Sequence, residues 1–328
     1  MLILNEREVS ALLTMPDAIA LMEEGFRALA RGGVQLPLRT MTTTARGVLG
    51  SMPAAMQAQP DSALAGTLGC KLVTAFANNA ELGKPSHQAL VLLFDPDSGE
   101  PIALMDGRYI TEVRTAATSA LATKLLARPD AKLLTVIGTG VQARAHIEAM
   151  RNVMDVGELR IWGRTPDHAA ALAEYARSIG LNATVFASVA DATKSADVIC
   201  TTTGTLEPLL FSRDVSDGAH INAVGMAWPN GRELGSDLMG RVRIIVDSTA
   251  GALGEAGDVR LAIADGALSK TPDLIPLSDV VDGRAAGRRS NTDVTLFESV
   301  GIAIEDVVCA AFVYRRARET GGGTEVRV

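Results

Sequence analysis

From Ala131 onward the chain alternates short apolar runs with amphipathic stretches. AKLLTVIG (131–138) ends in charge-free, β-branched residues and reads as a buried strand, while VQARAHIEAMRNV (141–153) has apolar positions at helical spacing. LRIWGR (159–164) is the next strand. PDHAAALAEYARSIG (166–180) follows as a helix, with Pro in its first turn and Gly just past its end. ATVFAS, DVICTTT, HINAVG and RIIVDST supply further strands. Strands alternating with helices predict an α/β region built on a parallel, doubly wound sheet.

The first hundred residues have a different pattern. MPDAIALMEEGFRALARGG reads as one helix closed by glycines. GVLGSMPA, LAGTLGCKLVTAF and HQALVLLFDPDSGEPIALMD read as strands, with the DPDSGE turn marking a hairpin between two apolar runs. This is an α+β module. TEVRTAATSALATKLLA (111–127) predicts a long helix bridging the two regions. IAIEDVVCAAFVYRRARE (302–319) predicts an amphipathic helix that packs back on the first module. The expected division is 1–115 with 303–328 for the α+β domain and 116–302 for the doubly wound domain.

With 328 residues, nearly half of them apolar, the chain has ample material for two cores. A net charge of -7 repels phosphate backbones and acidic membranes, so neither nucleic acid nor membrane is an expected partner. The start MLILNEREVSALL lacks signal-peptide features, and no apolar run reaches spanning length. Cys70, Cys200 and Cys309 lie far apart, and His87, His146, His168 and His220 show no metal-ligand spacing. A reducing cytoplasm and no metal are expected.

Gly138, Gly140 and Ala143 form G-x-G-x-x-A at the first strand-to-helix junction. The first glycine permits the tight turn, the second lets backbone approach a pyrophosphate, and the small third residue lets helix and strand pack closely. Its place after a strand and before a helix is the context a dinucleotide site requires, and this domain is expected to be of Rossmann type. Where the second strand would end in an acid for the 2'-hydroxyl of NAD(H), the chain has Gly163, Arg164 and Thr165. Arginine suits a 2'-phosphate, which favours NADP(H) while leaving NAD(H) open.

The segments KLVTAF, ELGKPSHQALVLLFDPDSGEPIALMDGRYITEVRTAATSALA, VIGTGVQARAH, INAVG and LFESVGIAIEDV, in that order, resemble the ornithine cyclodeaminase/mu-crystallin family. That family includes cyclodeaminases, an archaeal type of alanine dehydrogenase, and ketimine reductases. The resemblance implies a homodimer that pairs the sheets of the first domains. It matches Arg39 to an arginine holding the substrate carboxylate, Lys71 to the lysine beside the substrate, and Arg114 to an arginine near substrate and cofactor. Ser86, Val141, Gln142, Thr203, Val224 and Val300 fall at cofactor-contact positions, with Gly301 beside the substrate. The residue types agree with these roles. Arginine offers a planar fork to a carboxylate, and a partly desolvated lysine near other cations becomes usable as an acid or base.

Two departures matter. The cyclodeaminase aspartate proposed for proton transfer is replaced by Ala227 in AVGMAWPNGREL, beside Trp228, which is expected to reshape the pocket and add an apolar wall. A second cyclodeaminase acid corresponds to Gly50 in VLGSMPA. Loss of ammonia during ring closure needs proton shuttling for which a carboxylate is suited, whereas reduction of a protonated imine needs less. The expected activity is therefore NAD(P)H-dependent reduction of a small α-imino acid. The leading substrates are Δ1-pyrroline-2-carboxylate and Δ1-piperideine-2-carboxylate. An amino-acid dehydrogenase, a cyclodeaminase and a non-catalytic ligand-binding protein remain as alternatives.

Overall fold

The computed structural model describes residues 1–58, 66–225 and 228–327, apart from the side chains of Ala77 and Ala80. The chain divides into two units, Met1–Arg114 with Ile302–Val328 and Thr115–Gly301, and the division falls inside the helix Arg108–Leu126.

The discontinuous unit is built on a mixed sheet. From one edge its strands run Thr324–Glu325, Leu2–Leu4, Pro101–Asp106, His87–Phe94, Thr67–Ala75, Val48–Met56 and Val34–Gln35, with Thr40–Thr43 also pairing to Val48–Met56. The central hairpins are antiparallel and in unbroken register, Met52 opposite Lys71 and Lys71 opposite Val91. Leu64 and Ala65, at the start of the apolar run that contains Thr67–Ala75, lie outside the described residues. Alternation along Val48–Met56 sends Val48, Gly50, Met52, Ala54 and Met56 to one buried face. One helix packs there, and a second packs on the first. Met15–Ala30 is capped by the Thr14 side chain with Asp17 reaching back, and Ala303–Thr320 lies against the strands Val48–Met56 and Thr67–Ala75. Gly69 permits that approach: a Cβ on it would stand 2.9 Å from the Leu92 carbonyl oxygen and 3.2 Å from a Val307 methyl. On the opposite face Leu49, Leu72 and Leu90 are exposed, Leu72 directly opposite Leu90.

The continuous unit is a Rossmann-type parallel sheet in the order Ala183–Val185, Glu158–Trp162, Leu133–Ile137, Val198–Thr201, His220–Ala223, Thr295–Glu298, Arg243–Val246, Leu274–Pro276. The chain builds outward from Leu133–Ile137 in one direction, then returns to build outward in the other. The carboxyl end of that strand is therefore the switch point where such sheets bind ligands. Thr295–Glu298, absent from the sequence-based strands, fills the slot between His220–Ala223 and Arg243–Val246. Among the described residues, no helix is long and apolar enough to cross a membrane.

Candidate functional site

In the continuous unit, four adjacent strands end at one edge and carry most of the residues expected there. Gly138 and Gly140 follow Ile137, Thr203 follows Thr201, Val224 follows Ala223, and Val300 and Gly301 follow Glu298. Gly138 has φ +125°, and a Cβ on it would lie 2.5 Å from the Thr202 hydroxyl, so the turn demands glycine. Gly140 is different. Its backbone is extended, it precedes the helix Val141–Met150 without a side-chain cap, and a Cβ on it would meet no atom within 4 Å. The first amide groups of that helix thus open onto clear space, and the Gln142 side-chain carbonyl is buried there without a hydrogen-bond partner. An uncapped helix start after a tight glycine turn fits a dinucleotide pyrophosphate, while the Gln142 oxygen needs a donor such as a hydroxyl or amide. Arg164 and Thr165 are exposed just past Trp162, and Gly163 is pressed by Thr139, whose methyl would sit 2.4 Å from an added Cβ.

Buried carboxylates that the sequence did not single out hold these loops. Glu233 accepts from the Thr203 amide and hydroxyl, both at 2.6 Å, and from the Thr201 hydroxyl and Gly225 amide at 2.8 Å. Asp258 accepts from the backbone of Glu233 and Leu234. Asp247 accepts from the Val300 amide at 2.8 Å and the Gly301 amide at 2.6 Å. Gly301 has φ +75°, so this loop too depends on glycine. Glu298, buried with one oxygen unpartnered, is held well above the usual carboxylate range. Burial is the main cause, then the charges of Asp258, Glu233 and Asp247.

The discontinuous unit gathers a second cluster, sealed from water. Lys71 Nζ lies 2.7 Å from Asp306 Oδ2, a charge contact without an aligned hydrogen bond, and 3.5 Å from the Thr111 hydroxyl. Thr111 donates its own proton to the Gly107 carbonyl, so it faces Lys71 as an acceptor. Arg114 Nε donates to Asp306 Oδ1 at 3.1 Å, and its Nη1 pairs with Glu305. Two buried cations therefore meet two buried anions, on the helix packed where Gly69 lets it close. Burial, and then the Arg114 charge, lower the Lys71 pKa from 10.5 to about 8. Arg39 stands one residue before the strand Thr40–Thr43. Thr40 pairs with Ser51, so Arg39 sits next to the level of Met52, the register partner of Lys71. Ser86 is exposed, its hydroxyl 3.1 Å from His87 Nδ1.

Gly50 lies on the same sheet face as Lys71, and a Cβ there would already be 3.0 Å from Met41 Sδ and 3.2 Å from a Val73 methyl. A larger side chain there would have to displace the Met41 and Val73 side chains by a few tenths of an ångström. Ala227 lies outside the described residues, and Trp228 is 44% exposed.

Of the missed residues, Glu305 and Asp306 alone had a sequence signal, two adjacent acids inside an apolar helix run, IAIEDVVCAAFV. Known proteins share the whole architecture. Mouse ketimine reductase mu-crystallin is 42% identical over 307 residues, 93% of this chain and 92% of that protein. The structure of Thermococcus litoralis Δ1-pyrroline-2-carboxylate reductase in complex with NADH and L-proline superposes with a TM-score of 0.94 at 35% identity, covering 99% of this chain and 100% of the other. An archaeal alanine dehydrogenase dimer with bound NAD matches equally well, at 0.94 and 32%, over 100% of this chain and 99% of that one. The family model spans residues 1–321, and the nucleotide turn, the buried lysine and the two-unit division all fall within it; the chain belongs to the ornithine cyclodeaminase/mu-crystallin family.

Proposed function

We propose that this oxidoreductase of C–N bonds reduces a small cyclic α-imino acid, Δ1-pyrroline-2-carboxylate or Δ1-piperideine-2-carboxylate, to proline or pipecolate. The observation that carries the reading is the buried Lys71, 2.7 Å from Asp306 and with its pKa lowered toward the neutral range by burial, on a sheet face where position 50 holds a glycine and no second acid. The relatives named for ketimine and pyrroline-carboxylate reduction support it. When bound, the reduced nicotinamide supplies a hydride to the imine carbon as the C=N pair moves onto nitrogen, and it leaves oxidised. Lys71 provides the proton that makes an imine nitrogen cationic before that transfer and is reprotonated before the next turnover. Arg39 and Arg114 orient the substrate carboxylate.

In this reading residues 115–301 bind the dinucleotide, with Gly138, Gly140, Val141, Gln142, Thr203, Val224 and Val300 as contacts and Arg164 and Thr165 favouring NADP(H). The discontinuous unit binds substrate, and the exposed leucine face of its sheet pairs two copies into a homodimer. The test mixes protein, Δ1-pyrroline-2-carboxylate and NADPH or NADH, and follows the reduced-nicotinamide absorbance. Loss of that band with equimolar proline is expected. A flat trace, with ammonia released from ornithine under catalytic NAD+, would replace the reading with a cyclodeaminase. The likeness to an alanine dehydrogenase keeps a second reading, reductive amination with free ammonia, and an absolute ammonia requirement would select it.

A further inference from the structure

We propose that Asp306 is the positioning residue of this site, one carboxylate that sets Lys71 and Arg114 as a single unit and keeps the lysine an ammonium. The proposal rests on the reductase reading for what Lys71 does, but its own support is geometric. One oxygen of Asp306 stands 2.7 Å from Lys71 Nζ and the other 3.1 Å from Arg114 Nε, and the side chains of all three are almost wholly excluded from water. An aspartate has a short side chain, so a bridge of this kind tolerates little displacement of the helix that carries it. Gly69, two residues before Lys71 on the same face, is what lets that helix come close enough. Glu305 is turned to Arg114 instead, and Thr111 offers Lys71 only a distant lone pair.

The groups facing Lys71 come from three elements. Arg114 and Thr111 stand on the helix Arg108–Leu126, Asp306, Glu305 and Cys309 on Ala303–Thr320, and His87 on the neighbouring strand. Cys309 stays a neutral thiol, held well above its ordinary value by burial and the Asp306 charge. His87 is held below its ordinary value by desolvation and then by the Lys71 charge, so it adds no cation at neutral pH. Burial and Arg114 push Lys71 toward the free amine, while Asp306 opposes them, with a smaller contribution from Glu305. Without Asp306 the balance tips, and the lysine loses its proton at a pH where the enzyme must donate one.

The experiment measures Lys71 directly. The chain has six lysines, so side-chain 15N resonances of lysine-labelled protein are few, and Lys71→Arg assigns the one of interest. In the wild type that resonance should titrate near pH 8, and in Asp306→Asn at least one unit lower, with Asp306→Glu between them. The falling limb of kcat against pH should move by the same amount, so that Asp306→Asn loses about fivefold or more at pH 8 and recovers in acid. A merely structural aspartate would change melting temperature without moving either titration. An unmoved Lys71 resonance in Asp306→Asn overturns the proposal, as does a wild-type resonance titrating near 10.5. If Asp306→Asn does not fold, Asp306→Glu decides in the same way. A shifted resonance in a protein that never reduces Δ1-pyrroline-2-carboxylate keeps Asp306 as assigned and removes the reductase reading. Turnover with an unmoved resonance does the reverse.

Discussion

Adding one methyl group at each of two glycines should separate folding from cofactor binding. At Gly140 the backbone is extended and an added Cβ meets nothing within 4 Å, so Gly140→Ala should melt with the wild type or slightly above it. The methyl would occupy the clear space over the helix start, where the proposed reading puts the pyrophosphate. Displacing a phosphate from two amide donors loses roughly 1.5–3 kcal/mol for each. At about 1.4 kcal/mol per decade, the dissociation constant for reduced cofactor should rise at least about 100-fold. At Gly138 the outcome inverts. The φ of +125° costs about 1–3 kcal/mol for a residue with a side chain, and contacts of 2.5 and 2.9 Å to the Thr202 hydroxyl and carbonyl add a similar overpacking penalty. Gly138→Ala should therefore lower the melting temperature of this unit by roughly 5–15 °C. Isothermal titration with NADH and NADPH reads the first effect, and a fluorescence melt without cofactor reads the second. A Gly140→Ala protein that binds both cofactors within threefold of wild type would refute the placement of the pyrophosphate.

Lys71→Ala should reduce kcat by about 10²–10⁴ while leaving the fold intact, and wild-type kcat should fall as pH rises through about 8, where Lys71 gives up its proton; a flat profile would remove Lys71 as donor. Asp258, raised to about 8, and Glu298 keep protons that the unfolded chain releases near about pH 4, so they lower stability as pH rises through that interval, by up to roughly 1.4 kcal/mol per unit each. Buried His146 and His220, held down to about 4 and about 3, oppose this only below pH 6.5. Chemical denaturation between pH 6.5 and 8 should thus show falling stability, and Glu298→Gln should flatten the slope; an identical slope would mean that Glu298 ionises normally. Arg164→Ala should weaken NADP(H) binding by about 10–100-fold and leave NAD(H) unchanged in titration calorimetry, and equal losses would count against the 2'-phosphate contact. Leu72→Lys should split the proposed dimer in sedimentation experiments, and an unchanged mass would move the interface elsewhere.

What was legible in the sequence follows from periodicity and stereochemistry. The strand, turn and helix around Gly138 announced themselves because glycine spacing and apolar runs encode backbone geometry locally. The strand Thr295–Glu298 did not, because four residues buried on both faces have no alternation to read, and their place between two other strands is set by long-range pairing. Lys71 stood out faintly as a charge in an apolar strand. Asp247, Glu233, Glu305 and Asp306 did not, since a carboxylate on an amphipathic helix or in a loop reads as a solvated charge. Glu305 and Asp306 are nevertheless buried, because the helix turns that face to the sheet and not to water. Only the positions of their partners, fixed by the tertiary fold, reveal them.

The order of synthesis gives the buried ion cluster a further meaning. Arg114 and Asp306 lie 192 residues apart, with the whole continuous unit between them. As the chain emerges, residues 115–301 are complete and able to fold while Lys71 and Arg114 still lack their anions. Two cations cannot enter an apolar interior unaccompanied, so the first sheet must wait for the helix Ala303–Thr320 before it can close over them. The nucleotide-binding unit is thus free to form first, and the unit that holds Lys71 is finished last.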